Sequence, residues 1–230
     1  MATPNPQLAH VHDFRNNLDE VRRLLEIHEV VAGSGRGRKH DVEVLNKSAI
    51  VLVVACWEAY VEDLAESALR ELINRSRDHT AFPPKVLDRV ASKNSGSAAW
   101  NLAGQGWRSA MRSNFQEILA KTTATLNTPR APQVDELFEK TIGLEAISKT
   151  WRWPSRTSAQ TVAALDRLIT TRGAIAHRVT HSKPILKRDV VSAIELVSRL
   201  AVKSSNRVSR YIYERTETGP WPYVSYKGMR

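Results

Sequence analysis

Apolar residues recur at three- and four-residue intervals along most of this chain, and no stretch sustains an alternation of two. That spacing puts apolar side chains on one face of a helix and leaves nothing from which to build a half-buried sheet. The expected fold class is all-α.

A first helix is expected over residues 7 to 32, with Leu18, Val21, Leu24 and Leu25 on one side. It runs into Gly33-Ser34-Gly35-Arg36-Gly37-Arg38, which lacks the terminal Gly-Lys-Ser/Thr of a phosphate-binding loop and follows a helix rather than a strand, so it reads as a basic turn. A long helix is expected from Val42 to Arg75, with Val54, Val61, Leu64, Ala68 and Leu72 as its apolar stripe. Glu58, Glu62, Glu66 and Arg70 recur every four residues on another face, where Glu66 and Arg70 have the spacing of a helical ion pair. Beyond it, Pro83-Pro84 starts a short helix to about Ala91, Ala98 to Leu126 reads as helical despite Gly104 and Gly106, and a further short helix covers Gln133 to Thr141. Trp100, Trp107 and Phe115 could stack on bases, but the seven-residue tryptophan spacing reads first as core packing. Pro154 with Ser155, Thr157 and Ser158 opens a helix to about His181, which Pro184 breaks. A last helix runs from Leu186 to Arg215, with Val190, Ile194, Val197, Ala201 and Val208 inward and Arg199, Lys203, Arg207 and Arg210 as a basic row.

With 230 residues, 42% of them hydrophobic, the chain can bury roughly 70% of its unfolded surface, which excludes a disordered chain and a scaffold dependent on staples. Cys56 is the one cysteine and lies in the apolar run Ala49 to Trp57, where an inert thiol is expected and no intrachain disulfide is possible. That run is nine residues against the ~20 a bilayer needs, and the N-terminal residues carry no signal pattern. The expectation is a soluble cytoplasmic protein with no membrane partner. The net charge of +10 is confined to one region: residues 1 to 149 hold 19 basic and 19 acidic residues, residues 150 to 230 hold 15 and 5. A field of one sign over a third of the molecule attracts polyanions, RNA or DNA first; the plainer alternative is a solvated basic surface.

Thr170-Thr171-Arg172-Gly173-Ala174-Ile175-Ala176-His177-Arg178 is the most informative segment. Arg172 is in phase with Leu165, Leu168, Ile169, Ile175 and Ala176, so a cation occupies an apolar seam. Unpaired there it would cost several kcal/mol, so it must meet a carboxylate, a carbonyl or an anion; Glu58 is the carboxylate beside the most apolar stretch. His177 lies five residues on, roughly 140° around a helix and about 7.5 Å along it. Gly173 and Ala174, one turn earlier, leave room beside it. The two side chains do not share a face, so one site needs either distortion near Gly173 or a second copy of the helix across a twofold axis.

Arg172-x4-His177 on the penultimate helix, followed by a helix of Val/Ile/Leu spacing, resembles the R-x4-6-H signature of HEPN domains. The ordered set AIVLVVACWEAYVEDL, VDELFEKTIGL and LDRLITTRGAIAHR is similar to the RiboL-PSP-HEPN branch and spans about Val42 to Leu200. Many members carry a polar residue, often Asn, directly after the Arg; here it is Gly173. The resemblance implies a HEPN-like bundle of two long core helices and a final antiparallel helix pair. It would form one domain over residues 1 to 218, with a less regular insertion at about 81 to 153 and an irregular tail at 219 to 230.

It also implies a metal-independent ribonuclease, homodimeric, of the kind that serves as a toxin or defence effector, with RNA and an antitoxin or regulatory protein as partners and no cofactor. The chemistry fits these residue types. Cleavage by the 2′-hydroxyl needs proton transfer and positive charge on the phosphoryl oxygens; a histidine titrates in the right range and an arginine fork suits a phosphate. The implied roles are proton transfer for His177, phosphoryl stabilisation for Arg172 and orientation of Arg172 for Glu58, with Arg178, Arg199, Lys203, Arg207 and Arg210 as RNA-binding residues. DNA, lacking the 2′-hydroxyl, would be spared, and the product would end in a 2′,3′-cyclic phosphate. His177 and His181 have a metal-compatible spacing but no third ligand, and His10-x-His12 is equally sparse, so no metal is expected. A non-catalytic RNA- or protein-binding HEPN module is the alternative. A DNA-binding helix-turn-helix finds no short helix pair with a glycine turn.

Overall fold

The computed structural model describes residues 8–32, 42–123, 126, 128–178 and 184–229, except for the side chains of residues 32, 122, 177 and 178. Among the described residues there are α-helices and short 3-10 turns and no strand: α1 (Ala9–Ala32), α2 (Glu43–Arg75), α3 (Pro84–Lys93), α4 (Gly106–Ser113), α5 (Phe115–Thr123), α6 (Ala131–Ile142), α7 (Ser158–Arg178) and α8 (Lys187–Thr216). The all-α class is as expected from the spacing. The glycine-rich turn at 33 to 38 and His181 lie outside the described residues.

α2 is the axis of the bundle, packed by α1 along one side and by α6, α7 and α8 on the others. Its expected stripe of Val54, Val61, Leu64, Ala68 and Leu72 is buried throughout, and Trp57 and Tyr60 fill the remaining core face. An 18-residue window of α2 reaches a mean hydropathy of 1.5, enough by composition to cross a membrane, and half of that window is buried inside the bundle. The nine-residue apolar run therefore understated the helix. Cys56 is buried, and burial pushes its thiol up to about 11.

α8 is built to receive indoles. Small buried residues at Ser204, Ser205 and Ser209 leave grooves in its surface and supply the polar partners that buried tryptophans require. Trp151 Nε1 donates to Ser204 Oγ at 2.9 Å, and Trp221 Nε1 donates to Ser205 Oγ at 3.1 Å. Ser209 Oγ donates back to the Trp221 carbonyl at 2.8 Å, and Asn206 exchanges two hydrogen bonds with the backbone of Val224. Residues 220–226 are irregular and Lys227–Met229 form a 3-10 turn, but Trp221 and Met229 are core residues of the same bundle.

The stretch from Ala98 to Leu126 departs from the continuous helix expected of it. A 3-10 segment covers Gly96–Leu102, a turn at 103 to 105 follows, and α4 and α5 are separated at Asn114. Two glycines impose the break. Gly104 takes φ +56, in the left-handed region that favours glycine, and a Cβ on Gly106 would sit 1.8 Å from the Asn101 carbonyl oxygen. Core packing holds for Trp107, which is buried against Phe82, but not for Trp100, which is 83% exposed on the 3-10 segment.

Candidate functional site

α7 begins with a reciprocal cap. Gln160 N donates to Thr157 Oγ1 at 3.2 Å and Thr157 N donates to Gln160 Oε1 at 2.9 Å, which satisfies two of the free N–H groups of the first turn. From there Thr161, Leu165, Leu168, Ile169 and Ile175 enter the core, and Arg172 falls on the same seam, half-buried. Its Nε is buried with no hydrogen-bond partner.

Glu58 of α2 feels the Arg172 charge. Burial pushes the Glu58 carboxyl above the usual carboxylate range, and the Arg172 guanidinium opposes that rise. The pair is coupled through the field, without a contact ion pair, so the arginine fork is not consumed by a carboxylate among the described residues. Glu62, one turn on, is also raised by burial and by the neighbouring Glu58 charge. Asp63 is pushed up to about 6 by burial and by the Asp13 and Glu66 carboxylates. Glu66 pairs with Arg70, as the four-residue spacing indicated.

His177 belongs to the last turn of α7; its side chain and that of Arg178 lie outside the described residues. A Cβ built on Gly173 would meet nothing within 4 Å, so the space one turn before His177 is open. Sequence reasoning missed Arg130. This residue precedes α6 and binds α7 with a fork: Nη1 donates to the Asp166 carbonyl and to Asp166 Oδ1, both at 3.1 Å, and Nη2 donates to Thr170 Oγ1 at 3.0 Å. Residues 166, 170, 173 and 177 follow one another at helical spacing, so Arg130 clamps the face of α7 that continues to His177. Nothing in the sequence links residues 36 and 40 positions apart.

The basic row of α8 divides in two. Arg207 and Arg210 both turn to Glu214, at 3.4 and 2.8 Å, and Arg207 also lies over the Tyr211 ring. Arg199 pairs with Glu195 at 2.9 Å and stands between two rings, 5.3 Å from Trp153 and 4.3 Å from Tyr226. Lys203 has no ion pair among the described residues and faces a depression beside the turn at 152 to 157. No group of three His, Cys, Asp or Glu among the described residues is placed to hold a metal ion.

The RiboL-PSP-HEPN family matches this chain over residues 12–209, from the first turn of α1 to near the end of α8. The chain belongs to the RiboL-PSP-HEPN family. No curated protein matches it, and no solved structure matches it. The match takes in both α2, with Glu58, and α7, with the Arg172-x4-His177 pair. HEPN domains are all-α, act as ribonucleases or RNA-binding modules, and commonly bind RNA and dimerise. Within the matched range, Arg172 is coupled to the half-buried Glu58 and the residue after it is a glycine in open space.

Proposed function

We infer that this HEPN protein is a metal-independent endoribonuclease acting as a homodimer in the cytoplasm, in the manner of a toxin or defence effector held in check by an antitoxin or regulatory protein. The observation that carries the reading is the Arg172-x4-His177 spacing at the end of α7, within a family match, where Arg172 is coupled to Glu58 without being neutralised by contact. His177 takes the proton from the ribose 2′-hydroxyl, whose oxygen attacks the adjacent phosphorus. The P–O5′ bond breaks, the 5′-oxygen leaves with the proton that His177 has taken up, and the products are a 2′,3′-cyclic phosphate and a 5′-hydroxyl. Arg172 stabilises the charge that builds on the phosphoryl oxygens. Glu58 orients that guanidinium through its field. Because residues five apart on one helix do not share a face, Arg172 of one copy and His177 of its twofold mate complete each site.

The test is digestion of tRNA and mRNA by purified protein with EDTA present. Wild type is expected to leave cyclic phosphate ends, and His177→Ala and Arg172→Ala to lose about 10²-fold or more in rate. Intact RNA after wild type, or His177→Ala cutting as fast as wild type, overturns the assignment. Gly173 favours a second reading, a non-catalytic RNA-binding module, since it lacks the polar side chain many HEPN sites carry. RNA binding with no cleavage ends under any ionic condition is the result that selects it.

A further inference from the structure

A second feature borders α7 one turn before Arg172. A cleft of about 780 Å³ opens between α7 and the first half of α8, with an apolar floor that includes Ile50, Leu168, Ile185 and Leu196. Its rim carries Arg156, Arg167, Arg188 and Arg199. Trp153, Ser155 and Arg156 continue it into a shallower depression of about 730 Å³, to which Arg152 and Lys203 contribute.

The charge balance of this surface is one-sided. Two carboxylates face it, Asp189 and Glu195, and both are engaged: Asp189 Oδ2 caps α8 by accepting from Leu186 N at 2.8 Å, and Glu195 pairs with Arg199. Arg152, Arg156, Arg167, Arg188 and Lys203 have no ion pair among the described residues. Cations gathered around a recess in excess over its acids repel one another, and a bound polyanion relieves that repulsion.

Aromatic and guanidinium planes are interleaved along the same surface. Trp153 is fixed by the turn in which Trp153 N donates to the Arg156 carbonyl at 3.0 Å and Arg156 N donates to the Trp153 carbonyl at 2.8 Å. Arg156 lies 5.8 Å from the centre of its ring and Arg199 lies 5.3 Å from it, with Tyr226 beyond Arg199. Alternating rings and guanidinium groups beside backbone-binding cations is the pattern that accepts unpaired bases. A duplex, which buries its bases, could use the charges but not the rings.

We propose that the two depressions form one track for single-stranded RNA, lined by Arg152, Arg156, Arg167, Arg188, Arg199 and Lys203 and stacking a base at Trp153. The track follows α7 from Gln160 to Thr171, about 16 Å at 1.5 Å per residue. Thr171, at its far end, adjoins Arg172, so a strand held in the track leaves toward the end of α7 that carries Arg172 and His177. That delivery of substrate rests on the nuclease reading, whereas the binding itself does not.

The experiment separates the two by using a labelled 2′-O-methyl RNA 12-mer, which has no free 2′-hydroxyl to attack. Fluorescence anisotropy is read between 50 and 300 mM salt on the full chain, with thermal unfolding as the check of folding. Arg167→Ala/Arg188→Ala and Arg152→Ala/Lys203→Ala, one pair at each end of the track, are each expected to weaken binding at least tenfold at 100 mM salt. Each pair should lower the salt slope by about 1.4, at roughly 0.7 per cation on a single strand. Trp153→Leu should cost about tenfold with little change in slope. Affinities within twofold of wild type for both pairs overturn the track. So does equal affinity for the duplex of the same sequence, or displacement of the 12-mer by polyglutamate of matched charge, which would mark a site for an acidic protein instead. Loss of binding in these variants alongside an uncut natural RNA would retain the track and sink the nuclease.

Discussion

His10 makes the stability of this bundle depend on pH in a calculable way. It lies on α1, almost fully buried, with its ring 4.8 Å from that of Trp221 and 5.9 Å from that of Tyr60. Nε2 meets Ser205 Oγ at 3.2 Å, while Nδ1 is buried with no partner. Protonating the ring therefore buries both a charge and an unpaired N–H, and burial pushes the imidazole down from 6.5 to about 4. Between those values the unfolded chain binds a proton that the folded chain refuses. The stability from the neutral ring is thus complete above about pH 6.5 and is lost as pH falls toward 4. At 1.36 kcal/mol per pH unit the loss is about 3 kcal/mol, a large part of the stability of an ordinary domain.

Asp63 works in the opposite sense and partly masks it. Its carboxyl, pushed up to about 6 from 3.8, takes up a proton in the folded state before the unfolded chain does, so acidification from pH 6 to 4 adds stability. Because the side chain is only half-buried, solvent screening limits this to about 1 kcal/mol. Glu58 and Glu62, both raised, act in the same direction as Asp63. A wild-type stability profile alone would mix these contributions. The informative quantity is the difference in unfolding free energy between wild type and His10→Gln, measured by urea denaturation from pH 7.5 to 4, since the carboxyl terms cancel in it. That difference is expected to move by about 3 kcal/mol against wild type across the range. A difference constant to within about 1 kcal/mol would refute the reasoning and show that His10 titrates normally.

Two glycine substitutions should have opposite signs. Gly143 ends α6 at φ +78, and a Cβ there would lie 3.1 Å from the Tyr211 hydroxyl, so Gly143→Ala should cost about 1–2 kcal/mol in thermal or urea unfolding. Gly173 is helical with nothing within 4 Å of its Cβ position, so Gly173→Ala should raise stability by up to about 1 kcal/mol in the same assay. Cys56, buried and pushed up to about 11, should resist an aromatic disulfide reagent at pH 8 in the folded protein and react fully in denaturant; rapid native labelling would show that α2 opens at its centre.

What could be read from the sequence was what helical periodicity encodes. α2, α7 and α8 fall within a few residues of their expected limits because each is long, amphipathic and bounded by caps or breakers, and Thr157 with Gln160 supplies one such boundary directly. The region from Ala98 to Leu126 resisted because its course depends on a close approach between two backbone segments. The Asn101 carbonyl occupies the place of a side chain at Gly106, and glycine in a helical pattern does not announce that on its own.

The same division runs through the functional surface. The place of Arg172 on the apolar seam was legible, but the contact partner its charge was expected to meet is not found among the described residues: its Nε is unpartnered and Glu58 is reached only through the field. The basic row of α8 was legible as a row but not as two halves. Glu214 stands four residues after Arg210 and seven after Arg207, at helical spacing, and withdraws both from any shared cationic surface. Arg199 and Lys203 acquire their setting from residues some 45 positions earlier, in a turn whose half-buried Trp153 lines both depressions while Trp151, two residues before it, is sealed against Ser204. A solitary arginine in sequence reads as a solvated charge, and only tertiary proximity converts several of them into a field. The positive balance of residues 150 to 230 therefore became informative once the fold sorted its cations: Arg207 and Arg210 paired locally with Glu214, those around Trp153 left facing a common recess. On that sorting, removing Glu214 would unmask Arg207 and Arg210 without extending the track, because Arg207 is held over Tyr211 and neither residue lines the cleft that α7 borders.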